Sequence, residues 1–370
     1  MCHWKKKKFD IVKLIIDYAN KNNIILEINE KLKEYPNNSI TYNLLLDMKN
    51  KFELVKKSKK NENNSLLDNI LLEIKNVENN NHLIGVYPFC MAVFHNNFEI
   101  AEFIIDYADK NNIELDINGK ETHYGIYPLF AAICYNNIKM VKLIIEYANK
   151  KNILLEIEEK ENKCGNYPLL MAVDKNNIEM VKLLIEYANN NNIILNINKK
   201  DDKNKNYPLF MAVINNNIEM INLIIKYAGK YRIILDINDK NVYGNYPLFC
   251  ATNEDNFELV NLIIKYSNKN NINLNINEKD NTYKDYPFLC ACLCNNNKIA
   301  ELIIDYANKN NIILDINGKN IDGNFPISLA SSNSNIELAN SIINYANKNN
   351  ITFDINEKEK KKSFIYSNCK

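Results

Sequence analysis

Two hydrophobic spacings alternate along this chain. In the stretch from Asn166 to Asn198 (NYPLLMAVDKNNIEMVKLLIEYANNNNIILNIN), a short apolar run from Leu169 to Val173 is followed by a polar break and a longer apolar stretch from Met180 to Tyr187. Within the longer stretch the charged residues Glu179, Lys182 and Glu186 stand three and four apart. That spacing gathers them on one stripe of a helix and leaves an apolar surface wide enough to be buried against neighbours on both sides. From Ile193 to Ile197 apolar and polar residues alternate, the period of an extended segment. The pattern predicts a short helix over Leu169 to Lys175, a turn at Asn176-Asn177, a second helix from about Ile178 to Asn190, and an extended stretch closed by a polar turn. Pro168 suits the first turn of the first helix, because its φ is preset and it needs no amide partner. Asn176 and Asn177 suit the turn, because Asn tolerates a left-handed backbone and caps helix N-termini.

The same pattern returns along most of the chain. With the Tyr of Tyr-Pro as position zero, it falls at Tyr87, Tyr127, Tyr167, Tyr207, Tyr246 and Tyr286, and as Phe325 in the last copy, at intervals of 40, 40, 40, 39, 40 and 39. Every copy has Ala five residues on (Ala92 to Ala330), Asn ten on (Asn97 to Asn335), Ile eighteen on (Ile105 to Ile343) and Tyr twenty on (Tyr107 to Tyr345). Gly stands two before position zero at Gly85, Gly125, Gly165, Gly244 and Gly323. A fixed period of this length marks a solenoid whose units cannot stand alone and are stabilised by stacking.

Gly-x-Tyr-Pro-Leu, the Ala five after the Tyr, a turn, and then Ile-Glu-Met-Val-Lys-Leu-Leu-Ile resemble the ankyrin repeat, from about Leu83 to Asn356. The resemblance implies a mostly α fold: a helix-turn-helix repeat solenoid with extended or short-strand hairpin segments between helix pairs. Three departures stand out. The ankyrin period is 33 residues, and the extra residues here follow the second helix. The Thr of the family pattern is replaced by Tyr or Phe and its His by Leu, Phe, Cys or Ser, so apolar packing is expected to replace their hydroxyl–imidazole bonding. The Gly of the helix–helix turn is Asn in five copies, Asp255 in one and Ser334 in another.

Outside the regular array, residues 1–40 hold only the second half of a unit (FDIVKLIIDYANKNNIILEIN), and 41–86 form a degenerate unit, expected to be the least stable, with a loop at 61–65. Residues 87–356 are seven regular repeats, and 357–370 a Lys-rich tail expected to fray. The half-unit admits two readings: the chain begins inside a longer array, or the half-unit is an atypical cap. The opening MCHWKKKK is not a signal peptide, since the apolar run after it is short and carries Lys13.

Net charge is +1 over 370 residues, which offers no electrostatic reason to expect nucleic acid or an anionic membrane. Asn makes up 72 residues, as in an AT-rich coding sequence, and the Asn-rich turns read as compositional drift. Nine cysteines without disulfide or zinc spacing fit a reducing compartment, the cytoplasm first and the nucleus second. Cys290, Cys292 and Cys294 form one dense run, with Cys290 and Cys294 on one helix face, and read as small buried thiols. The four histidines occupy unrelated positions, and no catalytic triad, phosphate loop or nucleotide-binding glycine pattern is visible. No catalytic residue, metal or cofactor is expected.

Function is then expected on the face that ankyrin-like arrays use for binding, the concave side made of first helices and hairpin tips. Seven and eight residues after position zero the copies diverge. The residues singled out there are Phe94, His95, Tyr135, Asp174, Lys175, Ile214, Glu254 and Leu293, with Tyr124 at a tip beside His123, and Tyr243 and Tyr283 at the tips of later copies. The expectation is a monomeric, non-enzymatic scaffold that binds another protein and neither nucleic acid nor membrane. The alternatives are the substrate-recognition part of a larger enzyme or ubiquitin-ligase adaptor, and a thiol sensor centred on Cys290, Cys292 and Cys294.

Overall fold

The computed structural model describes residues 88–354, apart from 95, 111–113 and 121–123. The half-unit, the degenerate unit with its loop at 61–65, and the C-terminal tail lie outside the described residues. The chain divides into two compact units, Met1–Glu156 and Ile157–Lys370.

In the first unit the described helices are α1 (Pro88–Phe94), α2 (Phe98–Lys110), α3 (Pro128–Cys134) and α4 (Ile138–Lys151). In the second they are α5 (Pro168–Asp174), α6 (Ile178–Asn190), α7 (Pro208–Ile214), α8 (Ile218–Tyr231), α9 (Pro247–Asn253), α10 (Phe257–Asn270), α11 (Pro287–Leu293), α12 (Asn297–Lys309), α13 (Pro326–Ser332) and α14 (Ile336–Lys348). Each pair is the predicted helix-turn-helix. The first helix opens with Pro after an extended Tyr (φ −143, ψ 165 at Tyr167). It closes at an Asn in the left-handed region (φ 53 at Asn176), with the Asn177 N–H donating back to the Ala172 carbonyl at 3.1 Å, a helix end that favours Asn or Gly. Asn177 caps the second helix by accepting the Met180 N–H at 2.9 Å. The core is built from the repeated Ala, the first-helix Leu and Phe, and the Met, Val and Ile of the second helix; Ala172, Val173, Met180 and Val181 are fully buried.

The turn asparagines do more than composition requires. In five copies the capping Asn also donates its Nδ2 to the left-handed residue of the preceding copy: Asn137 to Asn96 Oδ1 at 2.7 Å in the first unit, and in the second Asn217 to Asn176 and Asn256 to Asn216, each at 2.6 Å, and Asn296 to Asp255 and Asn335 to Asn295, each at 2.7 Å. The reading of these turns as drift is therefore corrected at two positions per copy. A third position, thirty-one after the Tyr, bridges the extended segments. Asn198 donates to the Ile234 carbonyl at 2.7 Å and accepts the Asp236 N–H at 3.3 Å; Asn238 and Asn277 repeat this one copy on, as does Asn118 within the first unit. No strand is formed among the described residues. The segments are extended, and side-chain amides do the work that a strand ladder would have done.

The tyrosines differ from expectation too. Tyr127, Tyr167, Tyr207, Tyr246 and Tyr286 are fully buried, so apolar packing does replace part of the ankyrin pattern. Their hydroxyls nevertheless bond. Tyr167 donates to the Lys199 carbonyl at 2.6 Å, Tyr207 to Asp239 at 3.0 Å and Tyr246 to Glu278 at 2.8 Å, which pins the following hairpin. The second-helix tyrosines bind backward: Tyr227, Tyr266, Tyr306 and Tyr345 accept the N–H of Leu195, Leu235, Leu274 and Leu314 in the preceding extended segment at 2.8–3.0 Å. Within the first unit Tyr147 does the same for Leu115. A buried amide without a partner would cost about 1–3 kcal/mol, so these phenols complete segments that have no ladder.

Candidate interaction surface

The last residue of each first helix and its C-cap residue carry the positions where the copies diverge. In the second unit Asp174, Lys175, Ile214 and Glu254 are exposed, Ile214 to 43%, whereas Leu293 is half-buried. In the first unit Phe94 is half-buried and Tyr135 is 52% exposed. His95 and His123 lie outside the described residues.

Part of this variety is structural. A first helix ends with unpaired carbonyls, and the C-cap side chain of the next copy can reach back to them. Tyr135 Oη donates to the Phe94 carbonyl at 2.7 Å, and Asn215 Nδ2 to the Val173 carbonyl at 2.8 Å. Tyr135 is thus a helix-end tie as well as an exposed ring. Glu254, an acceptor when ionised, has no proton to give a carbonyl and points its charge to water.

The loop tips show a feature that the hydrophobic pattern does not announce. The loops of the second unit each close around one acceptor, buried at Glu161, Asp201, Asp280 and Asn320 and half-buried at Asn241. Asp201 accepts the N–H groups of Asn204, Lys205 and Asn206, and Asp280 those of Thr282, Tyr283 and Asp285; Glu161 serves Lys163, Cys164 and Asn166. These three loops are six residues long. Where the interval is 39, the loop is one residue shorter and the acceptor is Asn241 or Asn320, which takes two N–H groups. The signal was present, an acidic residue six before the Tyr or an Asn five before it, but its partners are amides that no pattern displays. Gly165 sits at φ +73 where a Cβ would come within 2.1 Å of Asp202, so a neighbouring tip, as well as the backbone, requires glycine there.

Neighbouring tips are laced together. The Val242 N–H donates to the Asn204 carbonyl at 3.0 Å, Asn281 to Tyr243 at 2.9 Å and Ile321 to Tyr283 at 2.9 Å. Outward from these bonds stand Val242, Tyr243, Tyr283 and Ile321, each between 46% and 59% exposed. Of these, Val242 and Ile321 were missed by sequence reasoning, since a lone aliphatic residue in a polar loop carries no periodic signal. Tyr124, 42% exposed, is the described tip residue of the first unit.

The cysteine run offers no reactive thiol at its core. Cys290 and Cys292 are both buried, in line with the reading of small buried thiols, while Cys294 is the C-cap residue of α11 and half-buried. Burial pushes the Cys290 and Cys292 thiols up, and Cys250 up to about 12, away from the thiolate that reaction or metal binding needs. No group of three or more His, Cys, Asp or Glu that could hold a metal occurs among the described residues. No described helix is long and apolar enough to cross a membrane.

Helix-turn-helix copies packed on one another within each unit define a helical repeat protein. A family model described as ankyrin repeats (3 copies) matches residues 151–234 and 191–280, and over those residues the chain is similar to ankyrin-repeat proteins. Among solved structures, the ankyrin repeat domain of Bcl-3, a member of the IkappaB protein family, is similar at 16% identity and a TM-score of 0.46, over 70% of this chain and 97% of that one. A search of curated proteins finds no match. Ankyrin repeats are in general protein–protein interaction domains, and the fold is typically non-enzymatic.

Proposed function

We propose that this chain is a non-enzymatic scaffold that holds a partner protein on the surface formed by the first-helix ends and the loop tips. The observation that supports this is the exposure of Ile214 at a helix end that packing does not explain, beside the unlike side chains Asp174, Lys175 and Glu254. The Ala two residues earlier on the same helix is the same in every copy, from Ala92 to Ala330, so this surface varies beside a fixed core position. In the first unit Phe94, Tyr124 and Tyr135 are the corresponding contacts, with His95 as the expected fourth; Leu293 lies at the margin in the second.

The test is affinity capture from the source organism with the full chain, wild type beside two variants. One is Asp174→Ala/Ile214→Ala/Glu254→Ala; the other is Tyr135→Ala, read against Tyr135→Phe to separate the ring from the hydroxyl tie. A protein captured by wild type and lost by a variant of unchanged melting temperature supports the reading. Identical captures by all would refute this surface. The alternative, a substrate-recognition part of a larger enzyme or ubiquitin-ligase adaptor, uses the same surface and is favoured if the full transcript encodes a catalytic or adaptor domain.

A further inference from the structure

We infer that the loop tips of the second unit dock an anionic peptide segment with an apolar residue at every third position. The inference rests on the proposed function and names the chemistry of its partner. Three consecutive loops present Val242 and Tyr243, Tyr283, and Ile321 to solvent. The bonds from Asn281 to Tyr243 and from Ile321 to Tyr283 fix the loops against one another before any ligand arrives, so little ordering remains to be done on binding.

Charge selects the partner. Lysines nearer the helices are paired: Lys160 with Asp202 at 2.7 Å, Lys240 with Glu278 at 2.7 Å and Lys279 with Asp315 at 3.8 Å. At the tips Lys203, Lys205 and Lys284 are exposed and form no ion pair among the described residues. On the three loops that carry the apolar residues and the 201–206 loop that carries Lys203 and Lys205, the exposed acids are Asp202, already paired with Lys160, and Asp322. The strip is therefore apolar and cationic within a chain of net charge +1, and an acidic ligand complements it.

Spacing selects the conformation. Packed helices of neighbouring copies lie about 8–10 Å apart. A polyproline II segment repeats one face every three residues, at about 9.3 Å. Successive copies can then each take one apolar side chain, with carboxylates between them facing the lysines. A nucleic acid could stack on Tyr243 and Tyr283, but Val242 and Ile321 have no ring to stack, which favours peptide side chains.

The experiment is fluorescence anisotropy on the full chain with three labelled peptides: four repeats of Leu-Glu-Pro, the same with Lys for Glu, and an acidic peptide of the same composition with its leucines adjacent. An oligothymidylate serves as a polyanion without side chains. The acidic three-residue repeat should bind at least about tenfold more tightly than any other probe, and more weakly as salt rises. Lys203→Glu/Lys205→Glu/Lys284→Glu, and separately Tyr243→Ser/Ile321→Ser, should each weaken it by about tenfold or more. These residues are exposed, and unchanged thermal unfolding would show that the variants fold. Equal binding of the acidic and basic repeats, tighter binding of the oligothymidylate, or full binding by the charge-reversed variant would overturn the inference. If the tip variants keep the captured partner while Asp174→Ala/Ile214→Ala/Glu254→Ala loses it, the inference falls and the proposed function stands.

Discussion

Asp285 stands where four other copies have Asn166, Asn206, Asn245 and Asn324, and replacing it with Asn should stabilise the protein in a pH-dependent way. The residue is 5% exposed. Its Oδ1 accepts one hydrogen bond, from Asn320 Nδ2 at 2.9 Å, and its own N–H donates to Asp280 Oδ1 at 2.8 Å. Burial raises its pKa from 3.8 to about 6; the Asn320 bond opposes this, and the Asp280 and Asp322 charges add to it. A carboxyl whose folded pKa lies above its unfolded value contributes stability that is whole below pH 3.8 and is lost as pH rises through about 6. Asp285→Asn keeps the acceptor and removes the charge. Each pH unit between the unfolded and folded pKa is worth about 1.4 kcal/mol, so the advantage over wild type should grow from about 1 kcal/mol at pH 4.5 to at most about 3 kcal/mol at pH 7.5. Urea unfolding of both proteins, followed by circular dichroism at four pH values across that range, measures the difference; amide exchange at Thr282 and Asp285 localises it to the loop. Parallel curves, with a gap that does not change with pH, would refute the claim that a buried ionised Asp285 strains this tip.

Three further outcomes are expected. Asn217→Ala should cost about 1–2 kcal/mol in urea unfolding, because it removes both the cap on Met220 and the bond to Asn176, while Asn217→Asp, which keeps the cap acceptor but not the donor, should cost less. Tyr246→Phe leaves the buried ring in place and removes the bonds to the Glu278 and Asn275 carbonyls, so a loss of about 1–2 kcal/mol is expected, together with faster exchange in the hairpin it pins. Arg232 ends α8 in the left-handed region at φ 56, where other copies place Asn152, Asn192, Asn271, Asn311 and Asn350; Arg232→Asn should therefore raise stability by about 0.5–1 kcal/mol, read as a higher urea midpoint.

The candidate surface was only partly legible before the fold. Divergence at positions seven and eight pointed to the helix ends, and Ile214 and Glu254 do face water there. Divergence cannot separate a residue left free for a partner from one recruited by the next copy. Tyr135 and Asn215 are recruited, since their partners are carbonyls 41 and 42 residues away. Half-burial of Phe94 and Leu293 was likewise out of reach, because spacing along the chain does not display how much of a side chain the fold covers. The apolar tips of Val242 and Ile321 came into view only when three loops were placed side by side.

By itself the sequence determined the unit: where each helix starts and stops, which face it buries, and how many regular copies follow. Proline at the first helical position, asparagine at the left-handed helix end and at the cap, and the charged stripe on the second helix all act within about four residues, so they can be read along the chain. Only the tertiary structure decided how the copies are joined. The asparagine bridges span 35 to 41 residues, the tyrosine hydroxyls reach 29 to 42, and the loop acceptors close on backbone amides that have no side-chain identity to read. It also decided why the period is 40 in one copy and 39 in another: a carboxylate can gather three amides in six residues, whereas an asparagine, with one side-chain oxygen, gathers two in five.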